Sequence, residues 1–218
     1  MKKVLILLMF VFLLTGCTTN TSVKDRDIDE IIDTMLKTDT SLVNNASNGY
    51  KYYLPNGVKV IESNNYNEKL YYNGNYYYLY VDVVSYYYKT EVSYEEDDSL
   101  YFSKKISYNN KDGYLEIEKI DNVYRVRYVY NYSKIESYVD DENLKQTIIN
   151  MSYILNSIKF NDSITELVVS DKKDSLKEEV YDFYTPRNKD NFIDYINQYD
   201  EYEEETIDDN NIGKEESE

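Results

Sequence analysis

Apolar positions along this chain change period several times, and each change marks an element. An uncharged apolar run fills positions 4–13, behind Lys2 and Lys3. A helix needs about 20 such residues to cross a bilayer core, so this run is too short to span one. A charged start, a short apolar stretch and small residues after it make the pattern of an export signal. Further on, Ile28, Ile31, Ile32, Met35 and Leu36 recur at the i, i+3, i+4, i+7, i+8 spacing of an amphipathic helix. Asp25 or Asp27 can cap its start and Lys37 sits near its end, as the helix dipole favours.

From 50 to 132 the pattern alternates, and strands are predicted. Tyr50 to Leu54 runs into the turn signal Pro55-Asn56-Gly57, and Val58 to Ile61 follows. After a polar turn at Asn64-Asn65, the strand ending in Tyr71-Tyr72 meets Asn73-Gly74, a strong hairpin signal. Its partner is predicted to run from Asn75 to Ser85. There Tyr77, Leu79, Val81 and Val83 share one face, and Tyr76, Tyr78, Tyr80 and Asp82 share the other. The acidic run Glu95-Glu96-Asp97-Asp98 reads as a solvated loop. Further strands are predicted at 100–107, 114–118 and 124–130, with turns at 109–113 and at Asn122. Successive hairpins predict an antiparallel meander with one packed face.

The helical period then returns. Leu144, Ile148, Met151 and Leu155 form one stripe behind Asp140 or Asp141, predicting a helix over 141–156 whose apolar side covers the sheet. A short extended piece, Ser157 to Phe160, follows it. The fold class is therefore α+β: an antiparallel β-meander covered by helices, α/β/α sandwich-like, with a helical C-terminal extension. Ser163 to Glu166 and Ser175 to Glu178 have capping-box spacing. Residues 201–218 carry nine acids, one Lys and almost nothing to bury, and read as a disordered tail. The expected organisation is a signal segment 1–16, a tether 17–24, an α+β domain 25–162, an extension 163–200 and the tail 201–218.

Composition narrows the chemistry. The net charge is −17, which argues against nucleic acid, whose phosphates demand a basic surface. The same charge argues against a polybasic membrane contact, since anionic lipid would repel the body. There are 28 tyrosines but no tryptophan and no histidine, so the usual general base and the commonest metal ligand are both missing. No nucleophile elbow, phosphate loop or dinucleotide fingerprint occurs. Asp208 to Gly213 begins like a calcium loop, but Ile212 stands where an oxygen ligand belongs. No metal and no cofactor is expected. With 41 acids in the chain, no single carboxylate pair stands out as catalytic.

Leu14-Thr15-Gly16-Cys17 resembles the lipobox of bacterial lipoproteins. The resemblance implies cleavage between Gly16 and Cys17 and a lipid anchor on Cys17, which explains the one cysteine of the chain. It places the protein at the cell membrane, on the extracytoplasmic side. Residues 50–161, with YYLPNGVKV at the entry and ILNSIKFN at the exit, resemble the Mog1/PsbP-like α/β/α sandwich. That resemblance implies a covered sheet used for docking partners and no shared catalytic residues. The expectation is a surface-anchored binding or accessory module for an extracellular protein or glycan. Alternatives are a structural spacer and a carboxylate-dependent envelope hydrolase. The stripe Tyr76, Tyr78 and Tyr80 is the candidate binding surface, because rings on a sheet face can stack on a ligand.

Overall fold

The computed structural model describes residues 25–38, 41–172 and 176–179. The chain divides into two units, 1–179 and 180–218, and every described residue belongs to the first. The expected signal segment, its cleavage site at Gly16 and Cys17, the tether and the acidic tail lie outside the described residues.

The described chain is mixed α+β, with ten strands and four helices. Helix α1 is Ile28–Lys37; strands follow as β1 Asn45–Ser47, β2 Tyr50–Tyr52, β3 Lys59–Asn64, β4 Asn67–Tyr72 and β5 Asn75–Val81. After helix α2 Val83–Tyr88 come β6 Phe102–Tyr108, β7 Lys111–Ile120, β8 Val123–Tyr130 and β9 Ser133–Val139. The last elements are α3 Asp141–Ser157, β10 Lys159–Phe160 and α4 Asp162–Lys172. Seven strands form one antiparallel sheet in the order β3-β4-β5-β9-β8-β7-β6, and β1-β2-β10 form a small second sheet.

Hairpins are closed by asparagine. Asn65-Tyr66, Asn73-Gly74, Asn109-Asn110 and Asn131-Tyr132 all have positive φ at both turn residues. Such mirror-image turns match the right-handed twist of the flanking strands, and asparagine tolerates this conformation better than other side chains. Gly113 serves another purpose. A Cβ there would lie 2.0 Å from the Val129 carbonyl oxygen, so β7 and β8 can approach only at glycine.

Three expectations need correction. The strand predicted over 75–85 ends at Val81, because Asp82 caps a helix. Its carboxylate accepts from the Ser85 amide at 2.8 Å and the Ser85 hydroxyl at 2.7 Å. This local pairing overrides the β-propensity of Val83-Val84 and the tyrosines after Ser85. Second, the hairpins do not make one continuous meander. β3-β4-β5 and β6-β7-β8-β9 are separate ribbons, joined where β5 pairs with β9 rather than with β6. Third, β2 pairs with β1 and β10, not with the strand after the Pro55-Gly57 turn, and 111–113 begins β7 instead of completing a turn.

One sheet face is packed. Tyr77, Leu79 and Val81 of β5, Ile135 and Val139 of β9, and Val126 and Tyr128 of β8 point into it with Leu144, Ile148, Met151 and Leu155 of α3. Helix α1 joins this layer. The Lys104 ammonium on β6 bridges to Asp29 at 2.7 Å and Asp33 at 3.4 Å, and the Asn156 amide donates to the carbonyls of Met35 and Thr38 at 3.3 Å. No described helix is long and apolar enough to cross a membrane.

Candidate functional site

The stripe Tyr76, Tyr78 and Tyr80 lies on the sheet face opposite α3, because these residues alternate with buried Tyr77 and Leu79. It is not a row of three open rings. Tyr76 is 44% exposed, with the Tyr71 ring at 5.4 Å and the Lys69 ammonium 4.8 Å above its centroid. Tyr78 and Tyr80 are half-buried. The Tyr80 hydroxyl donates to the Leu176 carbonyl, and burial raises its pKa far above the ordinary phenol value, with Asp82 and Glu178 adding to the effect. Residues 176–179 cross this face as a strap. Asn67 clasps them from both sides, donating to the Lys177 carbonyl at 3.0 Å and accepting from the Glu179 amide at 3.0 Å.

The rest of that face is an ion network. Glu136 accepts from Arg127 at 2.6 Å and from Lys134 at 2.9 Å; Lys134 also pairs with Glu178 of the strap, and Arg127 with Glu116 at 3.3 Å. Loop 89–101 covers the far side, where the Tyr94 ring stacks on Tyr114 at 4.1 Å with planes 2° apart. These charges are satisfied by one another, so the face is built for cohesion more than for capture. Among the described residues no group of three or more acids, cysteines or histidines could hold a metal ion.

A second arrangement lies on the helix side. Between α3 and the limb 42–56 runs a cleft of about 410 Å³, within the roughly 300–1,000 Å³ typical of small-ligand sites. Its aromatic walls are Tyr53 and Tyr153, with ring centroids 6.0 Å apart and planes at 63°. Asn56, Gln146 and Asn150 supply amides, and Leu42, Pro55 and Ile149 complete the lining. No lining residue is charged, in a chain whose residues are 30% charged.

Each wall is held in place. On the limb, Asn44 and Leu54 clamp each other: the Asn44 amide donates to the Leu54 carbonyl at 2.9 Å and accepts from the Leu54 amide at 2.6 Å. The Tyr53 amide donates to the Ser157 hydroxyl at 2.8 Å, tying the limb to the end of α3. On the helix, Gln146, Asn150 and Tyr153 fall at i, i+4 and i+7, one stripe beside the core stripe. Gln146 donates to the Asn150 side-chain oxygen at 3.1 Å, and Asn150 donates to the Tyr77 hydroxyl at 3.3 Å. That hydroxyl also meets Thr147 at 3.2 Å. Burial raises the Tyr77 pKa, opposed by the bonds from Thr147 and Asn150, so the phenol stays neutral and anchors the chain of amides.

The sequence points to Tyr76, Tyr78 and Tyr80 of β5 and not to this cleft. The stripe Gln146, Asn150 and Tyr153 is visible in the sequence of α3. Its opposite wall is not, because Tyr53 and Pro55 are brought to α3 by the small sheet that β2 forms with β1 and β10 and by the Tyr53–Ser157 bond, contacts far apart in sequence. No family model, curated protein or solved structure matches the chain.

Proposed function

We propose that this chain is a lipid-anchored binding module of the bacterial cell envelope, holding an uncharged ligand in the cleft between α3 and the limb 42–56. One observation carries the reading: a firmly braced, wholly uncharged cleft in a chain of net charge −17. Burying a charged ligand there without a partner would cost several kcal/mol, whereas an uncharged ligand with hydrogen-bonding groups meets matching amides. The Leu14 to Cys17 motif supports the anchor, and an acidic body beyond a short polar tether stands off anionic lipid. We read the fold as sandwich-like, with α1 and α3 on one sheet face and loop 89–101 with the strap on the other.

Anchoring is tested by fractionating cells that express Cys17→Ser. Two acyl chains hold a protein to a bilayer where one holds it only marginally. The variant is expected to leave the membrane fraction; retention equal to the parent protein would refute the anchor. Ligand capture is tested by thermal-shift screening of the full chain against uncharged small molecules, beside Ile149→Trp, which fills the cleft. Stabilisation of the parent chain and none of the variant is the expected result. Equal stabilisation of both would place binding elsewhere.

A further inference from the structure

We infer that the cleft is a carbohydrate site, with Tyr53 and Tyr153 as stacking surfaces and Gln146 and Asn56 as readers of sugar hydroxyls. This rests on the reading of the cleft as the ligand site. Five of its eight lining side chains carry a neutral hydrogen-bonding group, and none is charged. That density matches a ligand with a hydroxyl on nearly every carbon. A side-chain amide offers a donor and an acceptor, and a hydroxyl is both, so the two pair without any change of protonation. An apolar peptide would desolvate the Asn56 and Gln146 amides without pairing them, at a cost for each.

The two rings meet edge to face, with 63° between their planes and centroids 6.0 Å apart. A corner of this kind does not sandwich a flat aromatic ligand between parallel faces. It offers one ring face to the apolar C–H side of a pyranose while the other ring closes the edge. The negative face of a tyrosine ring attracts the slightly positive hydrogens of that side. Asn150 is a positioning residue. It is 3% exposed, and it spends one donor on Tyr77 and one acceptor site on Gln146. That bond holds the Gln146 amide at the cleft through one of its two N–H groups. Leu42, 71% exposed at the rim, gives the sugar a further apolar contact.

The test uses the purified full-length protein in detergent and three neutral probes, cellotetraose, maltotetraose and tetra-N-acetylchitotetraose. Binding is read by saturation-transfer NMR on sugar ring protons and by calorimetry. At least one probe is expected to bind with Kd of about 1 mM or tighter. Tyr153→Ala and Gln146→Ala should each weaken it by about tenfold or more, and Tyr153→Phe, which keeps the ring against Tyr53 and the core, should retain both the binding and the melting temperature, since the ring and not the hydroxyl stacks. If no oligosaccharide binds while an uncharged, end-blocked tetrapeptide of Ser and Asn does so in a Tyr153-dependent way, the carbohydrate inference falls and the binding reading stands. If nothing binds, or a sugar binds equally well to Tyr153→Ala and Gln146→Ala, the cleft is not a sugar site.

Discussion

Glu68 is the least expected residue in the molecule. It sits on β4 facing the packed side, 2% exposed, and has no basic partner among the described residues. Two phenols satisfy it: Tyr50 and Tyr52 each donate a hydrogen bond to its carboxylate, Tyr52 at 2.5 Å. Burial and the carboxylate together push both phenol pKa values far above their ordinary range, so the hydroxyls remain donors. Removing one side of such a pair strands the other. Glu68→Leu is expected to cost about 2–5 kcal/mol, as two buried hydroxyls lose their acceptor. Tyr50→Phe with Tyr52→Phe should cost at least as much, leaving a buried charge unpartnered. The triple variant should recover most of the loss, because apolar replacement of both sides is close to neutral. Urea titrations of the four proteins check this; strictly additive losses would mean that the cluster is not one unit. Tyr50 and Tyr52 fall on one predicted strand, and nothing in the sequence signals that Glu68, on another, meets them. The amide stripe of α3 was legible for the opposite reason, since 146, 150 and 153 are neighbours on one helix.

At the scale of elements, α3 behaves as its period requires. It begins at Asp141 behind Asp140, whose carboxylate accepts from the Asn143 amide at 2.9 Å. Leu144, Ile148, Met151 and Leu155 are all buried against the sheet. Ile148→Asp should therefore cost more than about 4 kcal/mol, an unpaired charge in the core, and Lys145→Ala less than about 1 kcal/mol. Chemical unfolding of the two variants distinguishes them, and equal small losses would mean that α3 does not pack through this stripe. Helix α2 teaches the converse. Val83 to Tyr88 is rich in β-branched and aromatic residues, and the predicted strand runs into it as far as Ser85. The Asp82 cap and the left-handed Lys89, φ 53°, enclose a short helix in spite of this. The two hydrogen bonds that the Asp82 carboxylate accepts from Ser85 offset a propensity difference of a few tenths of a kcal/mol per residue.

At the scale of the whole molecule, the sheet is crossed by the network of Glu116, Arg127, Glu136, Lys134 and Glu178. It connects β7, β8 and β9 to the strap at 176–179. Burial alone would raise the Glu136 pKa, but hydrogen bonds from Arg127 and Lys134 outweigh it and hold the carboxyl below its ordinary value of 4.5. A depressed carboxyl stabilises the folded state above that ordinary value, and the contribution disappears as pH falls through the depressed one. The parent protein should thus lose more stability between about pH 5 and pH 3 than Glu136→Gln does. Melting curves at stepped pH measure the difference; parallel losses would show that the network does not set the acid response. Comparison with Glu136→Gln removes the effect of the other acids, which titrate in both proteins.

The sequence by itself determined the elements whose cause is local. The α1 and α3 stripes, the Asn73-Gly74 hairpin, the alternation of Tyr76 to Val81 and the α+β class all follow from residues within one or two turns of each other. Tertiary structure alone decided which ribbon edges join. β5 meets β9, so the loop after α2 must carry the chain across to the far edge, and β6 ends furthest from the strand it follows. Nothing within β5 or β6 prefers one partner over the other. The choice comes from covering one continuous apolar face with α1 and α3, a condition set by the whole chain. The cleft is decided in the same way, since its two walls lie about a hundred residues apart, at Tyr53 and Tyr153. Only a contact of that range brings an aromatic corner and three amides to one place.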